Sequence, residues 1–318
     1  MQTAESPRRL EGRVAIVTGA GGGIGREHAS LLAAHGARVV VNDIGVRKGA
    51  DADSVVAEIK ASGGEAVASK VSATWDGAGD IVTQALDTFG RLDILINNAM
   101  VGHYCDLWEE AESQYDATLD VNLKGYFALI RYAAVPMGKQ GGGAIVNTSS
   151  ASGFGHPAHS SYATAKEGVV GLTRAVASEL GRFGVRCNAI RPQASGQSGT
   201  DYSIVTAKWT TLIGLGMLPR TVGVLERMLE DPELSPPRKI SPLVVWLCTD
   251  AASNINGRTF EVWGNTISLL SEPEPLRTIS SRDDWGLDSL DAVAPASLAG
   301  GLVNRFEFTD HPELRVFS

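Results

Sequence analysis

The sequence predicts an α/β protein built on a doubly wound parallel sheet with helices on both faces. Short apolar runs rich in β-branched residues alternate along the chain with segments whose apolar residues recur at helical spacing. A glycine-rich loop joins the first apolar run to the first helical segment. Because parallel strands need a crossover connection, and helices usually supply it, this alternation is typical of a parallel sheet.

The predicted elements follow one another in a regular order. Strands are expected over 13–18, 38–42, 65–70, 92–96, 144–148, 185–190 and, with its preceding turn, 256–262. The helical pattern covers 26–36, 51–62, 76–89, 113–138, 162–180 and 242–248. Gly36, Gly63 and Gly90 stand at the ends of three of these helices, where glycine is common.

Composition and charge argue against several classes of protein. The 318 residues are 43% hydrophobic and 20% charged, with a net charge of −8 and no long basic run, which disfavours nucleic acid or an anionic membrane as a partner. Cys105, Cys187 and Cys248 are scattered and form no CxxC pair, so neither a disulfide framework nor a metal site is predicted. The N-terminus lacks a signal-peptide core and no apolar run could span a membrane, so we expect a cytoplasmic protein without membrane insertion.

A dinucleotide-binding loop is predicted between the first strand and the first helix. Residues 19–25 read GAGGGIG and begin where the apolar run ends. Glycines let the backbone approach a pyrophosphate, and the N-terminus of the following helix attracts the phosphate charge. The predicted cofactor contacts in this loop are Gly19, Gly22, Gly23, Ile24 and Gly25.

The end of the second strand indicates which dinucleotide is bound. Asp43 stands 18 residues after Gly25, where an acidic residue accepts hydrogen bonds from the adenosine ribose and repels a 2′-phosphate. Gly22 leaves no basic side chain within the loop for that phosphate. Both observations favour NAD over NADP, although Arg47 and Lys48 lie close enough to keep NADP as the alternative.

Tyr162 and Lys166 form a candidate acid–base pair at the start of the longest predicted helix. Residues four apart share a helix face, about 6 Å apart along the axis. A free tyrosine has a pKa near ~10, and a neighbouring ammonium favours the phenolate and lowers that pKa. The spacing therefore suits a general acid or base at neutral pH.

The segment 18–25 resembles the TGxxxGxG signature of the short-chain dehydrogenase/reductase (SDR) family, and the similarity extends over about residues 10–265. The resemblance implies a single Rossmann-like domain over 1–268 with seven parallel strands. It also implies a substrate-binding lid over 194–240 and a homo-oligomer, either a dimer or a tetramer. A C-terminal extension over 269–318 carries Trp285, Phe306, Phe308 and Val316, and either docks on a neighbouring subunit or is disordered.

The resemblance also implies a catalytic tetrad of Asn122, Ser150, Tyr162 and Lys166. Ser149 is the fallback for the serine, because the gap to Tyr162 is twelve residues instead of the usual thirteen. The family pattern further implies cofactor contacts from Asn98, Ala99, Pro192 and Gln193, and from Tyr162 and Lys166 themselves. Met100 and Gln193 stand where the family usually has glycine, which leaves the local geometry open.

The expected reaction moves a hydride between the nicotinamide and a secondary alcohol or ketone. Apolar residues of the lid, including Trp209, Ile213 and Met217, suggest a hydrophobic substrate. The chain is similar to hydroxyacyl-CoA and hydroxysteroid dehydrogenase members of the family. The alternatives are an NADPH-dependent carbonyl reductase and a catalytically silent nucleotide-binding or scaffold protein. His103 is expected on a pocket rim or surface loop, since no second ligand follows at a standard metal spacing.

Overall fold

A computed structural model describes residues 8–195, 227–228 and 230–302. The chain divides into two compact units, Met1–Leu270 and Ser271–Ser318. In the described part of the second unit, helix α8 (Leu287–Ser297) has no buried residue, and the Arg277 guanidinium donates to the carbonyl oxygens of Leu298 and Gly300. No helix among the described residues is both long enough and apolar enough to cross a bilayer.

The first unit is organised around one sheet, which in the described residues has eight strands in the order β3-β2-β1-β4-β5-β6-β7-β8. The strands are β1 (Val14–Thr18), β2 (Arg38–Asn42), β3 (Glu65–Ser69), β4 (Ile94–Asn97), β5 (Gly143–Thr148), β6 (Val185–Gln193), β7 (Thr259–Trp263) and β8 (Thr266–Leu269). Neighbours from β3 through β7 pair in parallel, which confirms the predicted fold class.

The predicted count of seven strands is wrong by one. β8 pairs antiparallel with β7, after a turn through Gly264 at φ +51°. Its four residues are exposed or half-buried, so the segment carries no buried apolar run that would reveal a strand. The sheet therefore ends in an antiparallel hairpin added to a parallel body.

Helices cover both faces of the sheet. Their bounds are α1 (Gly23–Ala34), α2 (Ala52–Ala61), α3 (Ala78–Phe89), α4 (Glu112–Leu119), α5 (Gly125–Lys139), α6 (Ser160–Leu180) and α7 (Ser241–Leu247). The single helix predicted over 113–138 is divided by a π-helical turn, Asp120–Lys124. Such turns occur often at functional sites, and this one contains Asn122.

Two apolar clusters form the core, one on each face of the sheet. Side chains alternate between faces along a strand, so Ala15 and Val17 belong to one cluster while Val14 and Ile16 belong to the other. The first cluster includes residues of α1, α2 and α7, and the second includes residues of α3, α5 and α6. All five residues of β1 are buried because both faces of this central strand are covered.

The strand order places a crevice at one edge of the sheet. The chain leaves β1 toward β2 and β3, then returns to the other side of β1 with β4. In doubly wound sheets, ligands bind at the carboxyl ends of the strands where the order reverses in this way. The topology therefore predicts a ligand site among the loops that follow five strands, at Thr18, Asn42, Asn97, Thr148 and Gln193.

The packing of Gly125 leads to a stability prediction. A Cβ at Gly125 would collide with the Ala73 carbonyl oxygen, so we expect Gly125→Ala to lower the free energy of unfolding by about 1–3 kcal/mol. Gly171, exposed inside α6, has no atom within 4 Å of such a Cβ. Gly171→Ala is the matched control and should raise stability by about 0.5–1 kcal/mol. Urea denaturation measures both, and a Gly125→Ala variant as stable as the wild type would contradict the packing argument.

Candidate active site

A cleft of about 740 Å³ lies at the carboxyl ends of the strands. Most of the predicted site residues line it: Gly19, Gly22, Ile24, Asp43, Asn98, Ala99, Ser150, Tyr162, Lys166, Pro192 and Gln193. Gly23, Gly25 and Asn122 are not among the lining residues. The fold thus brings the two predicted halves of the site, the glycine loop and the Tyr162 helix, to one cavity.

The glycine loop is shaped by close backbone contacts. Gly19 has φ +63°, and a Cβ there would lie 2.7 Å from Cα of Ala99. A Cβ at Gly25 would strike the Gly19 carbonyl oxygen. Gly22 precedes the first residue of α1, Gly23, which has φ +55°. A side chain at Gly19 or Gly25 is therefore excluded by contact, and the loop passes directly into the N-terminus of α1.

Thr18 and Asn98 hold the glycine loop to the end of β4. The Asn98 side-chain amide donates to the carbonyl oxygens of Thr18 and Gly19, at 3.0 and 3.2 Å. The Thr18 hydroxyl oxygen accepts from the backbone N–H groups of Asn98 and Ala99, both at 3.0 Å. The Asn98 side chain therefore binds the protein's own backbone. Thr18 is a further residue of the site that the sequence analysis did not select.

Asp43 and Arg47 face the glycine loop with opposite charges. The Asp43 carboxylate accepts from the backbone N–H groups of Gly21 at 2.9 Å and Gly45 at 2.8 Å. The Arg47 guanidinium lies beside Gly22, where a Cβ would be 2.7 Å from its Nη2. Both side chains line the cleft.

Lys166 is fully buried beneath the cleft. Its amine donates to the Thr148 carbonyl oxygen at 2.8 Å and to the Tyr126 hydroxyl at 3.2 Å. Burial lowers the pKa of Lys166 to about 7. The Lys166 amine lies 5.4 Å from the centroid of the Tyr162 ring, so the structure places the two residues side by side, as their four-residue spacing predicted.

Tyr126 is the buried partner that sequence reasoning missed. Its hydroxyl donates to the Ala99 carbonyl oxygen at 3.0 Å while accepting from Lys166. Burial, and secondarily the neighbouring Tyr162, raise the pKa of Tyr126 well above the ordinary tyrosine value. Tyr126 therefore remains a neutral phenol that positions the amine. The sequence carried one indication of this role, because Tyr126 follows Asn122 by four residues on the same helical segment.

The two candidate serines have different surroundings. Ser149 is buried, and its hydroxyl donates to the Lys166 carbonyl oxygen at 2.6 Å. Both serines line the cleft, but the Ser149 hydroxyl donates its proton to a backbone carbonyl, whereas the Ser150 hydroxyl oxygen accepts from the Ser152 N–H at 3.1 Å. The buried Arg191 guanidinium donates to the Ser150 carbonyl oxygen at 2.6 Å and so fixes that segment. This geometry favours Ser150 as the serine that meets a substrate.

Asn122 ties the helical π turn to the loop that follows β4. It is fully buried, and its amide donates to the carbonyl oxygens of Val101 at 2.5 Å and Thr118 at 2.8 Å. Its side-chain oxygen has no hydrogen-bond partner among the described residues. A buried acceptor left open in this way is a suitable place for an ordered water.

A stack of three aromatic rings supports Tyr162 from the loop side. The His159 ring lies 4.3 Å from the Tyr162 ring at an interplanar angle of 9°, and 4.0 Å from the Tyr104 ring. Burial, followed by the neighbouring His156, lowers the pKa of His159 to about 3. A neutral His159 packs against Tyr162 and does not compete with it as a base at neutral pH.

The two departures from the family pattern lie on the cleft rim. Met100 is 46% exposed there. β6 continues three residues beyond its predicted end and brings Gln193 beside Trp263 of β7. The Gln193 side-chain amide donates to the Glu261 carboxylate at 3.0 Å, and the backbone carbonyl oxygen of Gln193 accepts from the Ser235 hydroxyl at 2.6 Å.

Much of the predicted lid falls outside the described residues. Of the range 194–240, the described part comprises 194–195, 227–228 and 230–240. The apolar lid residues of the sequence prediction, Trp209, Leu212, Ile213, Leu215, Met217 and Leu218, lie outside it, as do Phe306, Phe308 and Val316 of the C-terminal extension.

Comparisons with known proteins identify relatives along most of the chain. A family model described as short chain dehydrogenase matches residues 13–203. Peroxisomal multifunctional enzyme type 2 of Mus musculus is 35% identical over 94% of this chain, which spans only 40% of that longer protein. Hydroxyacyl-CoA dehydrogenase ChsB1 of Mycobacterium tuberculosis is 36% identical over 92% of this chain and 90% of its own.

A solved structure agrees with these relatives. The crystal structure of a short chain dehydrogenase from Mycobacterium avium superposes with a TM-score of 0.75 at 38% identity, covering 92% of this chain and 96% of that one. The family model spans both the glycine loop and the Tyr162 helix, and the structural agreement extends beyond it. The chain therefore belongs to the short-chain dehydrogenase/reductase family and is an oxidoreductase that acts on CH–OH groups.

Proposed function

We propose that this protein is an NAD-dependent dehydrogenase that interconverts a secondary alcohol and a ketone on a hydrophobic substrate. The single observation that carries the proposal is that Tyr162, with Lys166 buried behind it, lines the same cleft as the glycine loop. A bound nicotinamide dinucleotide would supply the hydride acceptor or donor. The protein would supply the proton transfer, the orientation and the shape of the cleft.

The residues of the cleft fit a dinucleotide. Gly19, Gly22 and Ile24 line the cleft at the N-terminus of α1, where an anionic pyrophosphate is stabilised, and the Arg47 guanidinium lies beside Gly22. Pro192 and Gln193 at the end of β6 lie on the opposite side of the sheet's switch point, together with Tyr162 and Lys166. The adenosine would bind near β2 and the nicotinamide near β5 and β6.

Asp43 supports NAD as the cofactor. Two backbone N–H groups hold its carboxylate at the end of β2, where it can accept hydrogen bonds from ribose hydroxyls. A 2′-phosphate would meet that negative charge. Arg47, beside Gly22, is the observation that favours the second candidate, an NADPH-dependent carbonyl reductase.

Tyr162 would exchange a proton with the substrate hydroxyl. When Lys166 is protonated, its ammonium lies 5.4 Å from the Tyr162 ring centroid and favours the phenolate over the phenol. His159 stacks on the Tyr162 ring and limits its rotation. The proton would then leave for solvent through a relay in which the resemblance assigns Asn122 to hold a water, and the side-chain oxygen of Asn122 is the buried acceptor that could hold it.

Ser150 would donate a hydrogen bond to the substrate oxygen as negative charge develops there. Its backbone is held by the buried Arg191, which also pairs with Glu167 at 2.5 Å. A serine placed by a rigid ion pair loses little conformational freedom when the substrate binds, and catalysis depends on such preorganisation.

The substrate class follows from the rim and from the relatives. Met100 and Val101 add apolar surface to the described rim, and the buried Met228 adds it to the lining of the cleft. Relatives named as hydroxyacyl-CoA dehydrogenases favour a 3-hydroxyacyl thioester, with a hydroxysteroid as the close alternative. The C-terminal extension as a docking segment and the dimer or tetramer stay predictions.

Removal of the Tyr162 hydroxyl tests the proposed chemistry. Tyr162→Phe should reduce kcat with a panel of 3-hydroxyacyl thioesters and hydroxysteroids by about 10²–10⁴-fold, because the proton acceptor is lost. NADH absorbance measures the rate, and fluorescence quenching measures retained NAD binding. Tyr132→Phe, the same deletion at an exposed site on α5, is the control. If Tyr162→Phe keeps full activity, the assignment of Tyr162 is wrong. If the wild type binds NAD but turns over none of the substrates, the catalytically silent alternative is favoured.

Cofactor choice is tested at Asp43 and Arg47. Asp43→Asn should raise the ratio of kcat/KM for NADP to that for NAD by about tenfold or more, corresponding to ~1.4 kcal/mol. Arg47→Ala should lower the same ratio, because it removes a guanidinium beside Gly22 that would favour a phosphate. Steady-state kinetics with both cofactors provide the measurement. If the wild type prefers NADP and Asp43→Asn leaves the ratio unchanged, the reductase alternative replaces this proposal.

The burial of Lys166 predicts a pH-dependent stability. The folded pKa of about 7 lies below the ordinary value of 10.5, so the unfolded chain binds more protons between these values and wild-type stability rises with pH there. Lys166→Met lacks this term and should be the more stable protein near pH 7. Its advantage should shrink by about 1.4 kcal/mol per pH unit toward pH 10. Urea denaturation at several pH values measures the difference, and a constant difference would mean that the folded amine titrates as an exposed lysine does.

A further inference from the structure

We propose that the loop after β4 binds a divalent transition-metal ion, best matched by Zn²⁺, through His103, Cys105 and Glu110. Among the described residues, this is the group of His, Cys, Asp or Glu side chains whose ligand atoms all lie within 4.8 Å of one another. Imidazole nitrogen, thiolate sulfur and carboxylate oxygen are the three ligand types that zinc takes in proteins. None of these residues belongs to the proposed catalytic tetrad.

The separations suit one small ion. His103 Nε2 and Glu110 Oε1 lie 3.1 Å apart. Ligands at the usual zinc distances of about 2.0–2.3 Å stand roughly 3.3–3.8 Å from each other in a tetrahedron. The imidazole and carboxylate are thus near that spacing already, and a small shift of the Cys105 side chain would complete a three-ligand set. Three protein ligands leave a fourth position for water.

The Glu110 carboxylate is a second, independent observation. Its side chain is 8% exposed, and Oε1 is buried without a hydrogen-bond partner among the described residues, despite its closeness to His103. A buried carboxylate oxygen that accepts no hydrogen bond is costly, and a bound cation beside it lowers that cost. A plain histidine–glutamate ion pair would use the same two side chains, and the Cys105 variant in the titration below distinguishes it from a three-ligand metal site.

The order of the chain hides this set from sequence inspection. His103 and Cys105 are separated by one residue and Glu110 follows five residues later, so no standard ligand spacing is present. The short 3₁₀ turn Leu107–Glu109 reverses the chain between Cys105 and Glu110. This turn brings the carboxylate back to the imidazole.

The position of the loop connects the proposed metal to the cleft. Tyr104 lies between two of the ligands, lines the cleft and stacks on His159. The Cys105 N–H donates to the Ala158 carbonyl oxygen at 3.0 Å, which ties the loop to the segment before α6. A metal ion at His103 and Cys105 would hold the Tyr104 backbone from both sides. Binding would release the thiol proton of Cys105 to solvent.

Metal titration of tag-free, chelator-treated protein tests the proposal. With Zn²⁺, equilibrium dialysis should give one bound ion per chain. With Co²⁺, the wild type should show a thiolate-to-metal charge-transfer band that Cys105→Ser abolishes. His103→Ala and Glu110→Gln should each weaken Zn²⁺ binding by about tenfold or more, the scale that applies even to outer-shell partners.

Matched controls separate this site from other binding. Cys248→Ser removes a buried thiol far from the loop, and Glu109→Gln removes the exposed neighbouring carboxylate, so both should bind as the wild type does. Circular dichroism and the thermal midpoint establish folding, and Glu110→Gln carries the test if Cys105→Ser is misfolded. Absence of the cobalt band in the wild type, or equal Zn²⁺ affinity of the wild type and the folded His103, Cys105 or Glu110 variants, overturns the proposal.

Discussion

The buried amine of Lys166 is the interaction on which the rest of the site depends. It joins α6 to the end of β5 through the Thr148 carbonyl and, through Tyr126 of α5, to the Ala99 carbonyl after β4. An ammonium group in an apolar interior is expensive, and burial lowers its pKa to about 7 as a result. Two hydrogen-bond acceptors reduce the cost without removing it. The fold therefore buries this amine, at a cost in free energy, beside the tyrosine proposed to exchange a proton, and strongly shifted pKa values of this kind are common at catalytic sites.

The cofactor side of the cleft depends on backbone geometry more than on charge. Gly19 and Gly25 permit contacts that any side chain would prevent, and Asn98 and Thr18 fasten the resulting turn to β4. Asp43 adds the restraint from β2 by accepting from the Gly21 N–H. The glycine loop is thus held from both neighbouring strands before any ligand arrives. Preorganisation of this kind lowers the ordering cost that binding would otherwise carry.

The substrate side is assembled from loops held by a few buried polar contacts. Asn122 holds the loop after β4, and Arg191 holds the serine segment. His159 and Tyr104 add a ring stack against Tyr162. These contacts restrain the segments that carry the proposed tetrad, while Met100 on the cleft rim is half exposed. When the reacting groups and the rim lie on different parts of the cleft, a family can retain its chemistry while its substrates change.

The sequence by itself determined the order of strands and helices, the glycine loop and the Tyr162–Lys166 pair, because periodicity and four-residue spacing are local properties of the chain. The tetrad assignment also followed from sequence, through resemblance to the family. Only the tertiary structure decided that Ser149 turns inward and that Tyr126 holds the amine, since both depend on contacts between distant segments. Spacing along the chain indicated Asp43 and Arg47, but only the structure decided that their side chains lie beside Gly21 and Gly22 of the glycine loop. The exposed edge strand β8 was likewise decided by packing, because its segment has no buried apolar run or period from which a strand could be read.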